Sequence, residues 1–187
     1  MNSTNIQRMA PLRARTGAIA AALLGACAAV ESQAAMPAFV LSVYGDQSSG
    51  ELIMAGKHRA AYAQLAHGGT GAAGDALSWQ MNLCAAATLV KQMAVAQKAC
   101  DQAVWIARSE CAYSPYWSQA SNSAADTALE MAYSNRGILR WLNGQTSDAQ
   151  ADFSKAIEIA PGDKLAAQNN EVMHARHLAS VQADQGL

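Results

Sequence analysis

The stretch from Ala132 to Asp163, AYSNRGILRWLNGQTSDAQADFSKAIEIAPGD, limits what this chain can fold into more than any other part of it. It reads as two helices folded back on each other. Gly144 lies between them, where a reversing chain needs a residue that tolerates a left-handed backbone. Gly137 and Ala149 are small, so two antiparallel helices can approach closely there. Phe153 is large enough to fill the groove between them. Pro161 lacks an N–H and stops the second helix. Alanine dominates the rest of the chain and favours helices in close contact, and segments with strand character are nearly absent. The expectation is an all-α fold.

The same stretch resembles a tetratricopeptide repeat, a helix–turn–helix unit of 34 residues. Tyr133, Gly137, Gly144, Ala149, Phe153, Ala156 and Pro161 fall on the family's marked places in a single register. Arg136 and Arg140 stand where the family has apolar residues, which implies an atypical neighbour on that side. Units of this kind cannot bury their apolar faces alone, so others should flank this one. Downstream, KLAAQNNEVMHARHLASV from Lys164 reads as one further helix that caps the stack. Upstream, Leu83, Cys84, Ala96, Cys100 and Ala103 fit a unit that lacks the turn glycine and the proline. Gly56, Ala61 and Leu65 fit a weaker third. The resemblance therefore implies a short solenoid of antiparallel helix hairpins over residues 50–187. The two clearer units are 53 residues apart. An inserted loop at about 109–126, rich in serine and asparagine, accounts for the excess. Its Tyr113, Tyr116 and Trp117 suit either a cover over the edge of the stack or a contact with a partner.

The start of the chain has a different character. Arg8, Arg13 and Arg15 precede the apolar run TGAIAAALLGACAAV, and Ser32-Gln33-Ala34 offers the small residues of a cleavage site. Residues 1–34 read as a bacterial secretory signal peptide, which places the mature chain outside the cytoplasm, in the periplasm. Leu24-Gly25-Ala26-Cys27 also resembles a lipobox, and cleavage before Cys27 would leave a lipid anchor instead. No later segment is long and apolar enough to span a membrane. Residues 35–49, with MPAFVLSVYG, read as an extended or mobile arm.

The formal net charge is −1, with no basic patch or stripe, so nucleic acid gains no support as a partner. Gly68-Gly69-Thr70-Gly71 resembles a phosphate loop only in its glycines, because the lysine is missing. Asp148 and Asp152, with Lys155 nearby, read as a solvated charged face. His174 and His177 could share a helix face and bind a metal, although surface histidines are the plainer reading. No nucleophile elbow and no CxxC spacing is present. The sequence thus points to no catalytic residue, no metal site and no cofactor.

The resemblance implies instead a surface that binds another protein or a peptide. In the family's register Asn82, Asn135 and Asn169 occupy equivalent places in successive first helices, where an asparagine can hold an extended backbone. A carboxamide both donates and accepts, matching a peptide C=O and N–H without demanding one sequence. Met81, Thr88, Met131, Ser134, Ile138 and Trp141 would line the same groove, with Trp141 as the anchor. The alternative reading is that these asparagines cross-link neighbouring helices. The register also sets Cys84 and Cys100 on facing surfaces of one helix pair. In an exported chain they are expected to form a disulfide, which leaves Cys111 as the odd thiol.

Overall fold

The computed structural model describes residues 38–67, 76–113 and 122–185. The expected signal peptide, the lipobox cysteine Cys27, the Gly68–Gly71 run, Tyr116 and Trp117 lie outside them. The described residues are all-helical. They form α1 (Ser48–Met54), α2 (His58–His67), α3 (Ala76–Leu89), α4 (Met93–Tyr113), α5 (Asn122–Leu142), α6 (Thr146–Ile159) and α7 (Lys164–Asp184).

Every helix packs on the next one in the chain. The odd-numbered helices also touch each other in order, α1 with α3, α3 with α5 and α5 with α7, whereas α2, α4 and α6 do not. The result is a repeat-like row of helix pairs with the odd-numbered helices as one continuous layer.

Three turns make the pairs, and all close the same way. The N–H of Gly56 reaches the carbonyl of Ile53 and that of Lys57 the carbonyl of Leu52. Lys91 and Gln92 do the same to Thr88 and Ala87, as do Gly144 and Gln145 to Trp141 and Arg140. This double bond pattern satisfies the last carbonyls of a helix and needs a left-handed residue just past its end. Gly56 and Gly144 take that conformation at φ 74° and 78°, and Lys91 takes it at φ 62° despite its side chain. The third helix pair ends at Ile159 ahead of Pro161. There the Asp163 carboxylate accepts from the N–H of Leu165 and starts α7.

Two of the pairs show how the helices come close. In α5–α6 a Cβ on Gly137 would meet three ring carbons of Phe153 at 2.9–3.1 Å. Phe153 is fully buried and stacks on Phe39 of the arm, with ring centroids 6.5 Å apart. In α3–α4 the expected disulfide between Cys84 and Cys100 is present, with the two Cα atoms 4.8 Å apart. The core runs on through Leu41, Val43, Ile53, Leu65, Ile138, Leu139 and Met173.

Two boundaries differ from the sequence expectation. Of the residues expected as a loop at about 109–126, 109–113 belong to α4 and 122–126 to α5, and the rest lie outside the described residues. Ser109 lies within α4 and donates its hydroxyl hydrogen bond to the Trp105 carbonyl one turn back. The arm placed at 35–49 also ends sooner, since Ser48 already opens α1.

Candidate functional site

The asparagines singled out by register sit on the odd-numbered layer, Asn82 on α3, Asn135 on α5 and Asn169 on α7. All of them are buried. Each holds the extended segment that precedes α1, and each does so with both halves of its carboxamide. The Asn169 oxygen accepts from the N–H of Val40 at 2.9 Å, and its nitrogen donates to the Val40 carbonyl at 3.0 Å. Asn135 makes the same two bonds to Ser42, each 2.8 Å long. Asn82 makes them to Tyr44, at 2.8 and 3.1 Å. The arm therefore crosses the layer from α7 towards α3, against the chain order of the helices. Consecutive rungs take every second residue, as the period of an extended chain requires.

The rungs are held in turn from behind. The Asn169 amide also donates to the Ser134 hydroxyl, and the Asn82 amide to the Ser49 hydroxyl. Ser134, expected as a groove residue, thus orients a rung. At the end of the arm, a Cβ on Gly50 would collide with the Tyr44 carbonyl, so that position admits only glycine.

Between the rungs the arm is apolar. Leu41 and Val43 are buried in the core, and Phe39 packs against it between Phe153 and the Arg176 guanidinium. The side chain at the middle rung is small. Its hydroxyl, Ser42 Oγ, is buried without a partner.

The remaining groove residues are mostly core. Met81, Met131 and Ile138 are fully buried. Thr88 turns its hydroxyl back onto the Cys84 carbonyl one turn earlier in α3. Trp141 is half-buried and meets the His177 ring edge-on, with centroids 6.3 Å apart. His174 and His177 are exposed, and no group of three or more metal-ligating side chains exists among the described residues.

Asp152, read as part of a solvated face, is buried. Arg136 donates to its two oxygens at 2.9 and 2.8 Å and to Asp101 at 3.1 Å. Arg140 adds a contact of 2.8 Å to Asp152. Arg136 and Arg140 of α5 therefore answer one carboxylate on α6, and Arg136 a second on α4. Partial burial works against the Arg136 charge. The hydrogen bonds and attraction of Asp152 and Asp101 outweigh it and hold the guanidinium pKa above its ordinary value. Lys155 pairs with Glu158 instead, and Asp148 is exposed. This pattern links three helices.

Cys111 is the free thiol on α4. Burial first, then Asp126 and Glu110, push its pKa up, so it is a poor nucleophile at neutral pH. No helix among the described residues is long and apolar enough to cross a membrane. No protein-family model, curated protein or solved structure matches the chain.

Proposed function

We propose that this chain is a non-enzymatic binding scaffold of the bacterial cell envelope, a short tetratricopeptide-repeat stack exported on residues 1–34. Its asparagine-bearing layer holds an extended stretch of protein. One observation carries the reading. Asn82, Asn135 and Asn169 each bond both backbone groups of an extended segment, at residues 44, 42 and 40. Such a contact recognises peptide backbone and leaves side chains to the surroundings, which suits a protein or peptide ligand. Trp141, half-buried on α5 of the same layer, is the proposed aromatic contact for such a ligand.

The test is capture of envelope proteins on the purified chain, followed by affinity measurement with the identified partner. Asn169→Ala and Trp141→Ala should each weaken that affinity about tenfold, the range of a lost hydrogen-bond pair or anchor. If both variants keep wild-type helicity and full affinity, the layer is not the binding site.

A further inference from the structure

The face that would bind a partner is already occupied by the chain itself. We propose that residues 39–44 are a resident competitor, and that the groove accepts in their place an extended segment of a second protein. That segment has large apolar residues at three alternate positions and a small residue between the last two of them. The proposal rests on the scaffold reading above and adds the ligand class and its regulation.

The arm itself supplies the ligand's description. The rungs touch only the N–H and C=O of Val40, Ser42 and Tyr44, so they place no demand on sequence. Selectivity must come from the side chains, those between the rungs and the buried Tyr44 ring at the last one. Phe39, Leu41 and Val43 deliver the apolar surface to the core. Burial of such side chains favours a segment with this alternation over a polar one. At the middle rung the buried Ser42 hydroxyl finds no partner, so that place reads size and not chemistry.

The arm's connection makes it a competitor. Only Gly45, Asp46 and Gln47 join Tyr44 to α1. A short tether gives a bound segment an effective concentration on the order of millimolar. A free segment of equal intrinsic affinity is therefore excluded at micromolar concentration. A partner gains access when it carries better apolar residues or when the arm is pulled out from its N-terminal end, at α7.

The experiment uses the full chain and a fluorescent peptide of the arm's own sequence, Ala38–Gly45, carrying a lysine tail for solubility. Its binding is followed by anisotropy to the wild type and to Val43→Asp, which sets a charge where the arm is fully buried. Binding to Val43→Asp should be at least 100-fold tighter than to the wild type, the scale set by the tether. Adding Asn169→Ala to that chain should weaken it about tenfold. A peptide with Ser42→Ala should bind as well as the parent, and one with Ser42→Phe should not bind. If Val43→Asp does not fold alone, refolding it with the peptide should restore its helicity. Equal binding to both chains, or a peptide that neither binds nor restores the variant, overturns the proposal. Those results leave the scaffold reading standing if the captured partner still depends on Asn169 and Trp141. A peptide that binds as described, beside a partner indifferent to both residues, removes the scaffold reading alone.

Discussion

The α3–α4 and α5–α6 pairs answer the same structural problem with different chemistry. Each must bring two helices close at one level and reverse the chain in three residues. In α5–α6 the closeness comes from the missing side chain of Gly137 beneath the Phe153 ring, and the turn from Gly144. In α3–α4 both helices carry a side chain at the corresponding level, and the two are bonded, Cys84 to Cys100. The turn there uses Lys91 in a conformation that suits glycine. One pair is held by shape and the other by a covalent link that compensates for poorer shape. Two neighbouring helix pairs can thus close with the same turn and different residues at the contact, provided something else supplies the lost free energy.

The largest test of that comparison is Phe153→Ala. Phe153 is fully buried between Gly137 and Phe39, so its loss leaves a cavity at the centre of α5–α6 and removes the arm's ring partner. A loss of about 4 kcal/mol is expected. Urea unfolding should show it, and reductant should add the same further loss as in the wild type. A cost below about 1 kcal/mol would mean that shape does not hold this pair.

Next comes the covalent pair. Cys84 and Cys100 are 16 residues apart. Replacing both by alanine should cost about 3 kcal/mol, from the chain entropy regained by the unfolded state. The reduced wild type should lose a similar amount, and amide exchange should speed up first in α3 and α4. Uniform acceleration through α6 and α7 would show instead that the row unfolds as one unit and that the two pairs are not separately held. A smaller effect is expected for Gly137→Ala. The added Cβ presses on a ring pinned by Phe39, which costs roughly 1–3 kcal/mol, while better helix propensity returns up to about 1 kcal/mol. The net is a loss of about 1 kcal/mol, read from the same unfolding curves.

The two pairs also differ in how much of them was legible in the sequence. The all-helical class and the Gly144 reversal follow from composition and local spacing, and the Cys84–Cys100 link from the register that the resemblance implies, because a helix pair with a short turn fixes which residues face each other. The arm was less legible. MPAFVLSVYG shows an apolar alternation but nothing local says where it lies, and its partners Asn82, Asn135 and Asn169 are 38, 93 and 129 residues away. The register put those asparagines on equivalent places. It did not reveal that the chain's own residues 40, 42 and 44 occupy them. Asp152 was misread for a related reason. A carboxylate on a helix surface reads as solvated until the arginines of the preceding helix, Arg136 and Arg140, are seen to close over it. Those arginines stand where the resemblance implies apolar residues, and two partly buried cations without a carboxylate would be costly. That departure was the available signal.

The smallest expected effect is the most direct comparison of the two turns. Lys91 holds φ 62°, where Gly56 and Gly144 hold 74° and 78° in turns with the same hydrogen bonds. A residue with a Cβ pays roughly 1–2 kcal/mol for that conformation. Glycine there returns part of the gain, because its unfolded chain has more freedom to lose. Lys91 is exposed, so no packing is lost with its side chain. Lys91→Gly should therefore stabilise the protein by up to about 1 kcal/mol, seen as a higher urea midpoint at unchanged slope. The same substitution in the reduced protein should give the same increment, since the turn and the disulfide act at opposite ends of the argument, one on the strain of the folded state and the other on the freedom of the unfolded one. An increment that appears only after reduction would mean that the disulfide imposes the left-handed turn on Lys91, and the two departures of α3–α4 from α5–α6 would then be one.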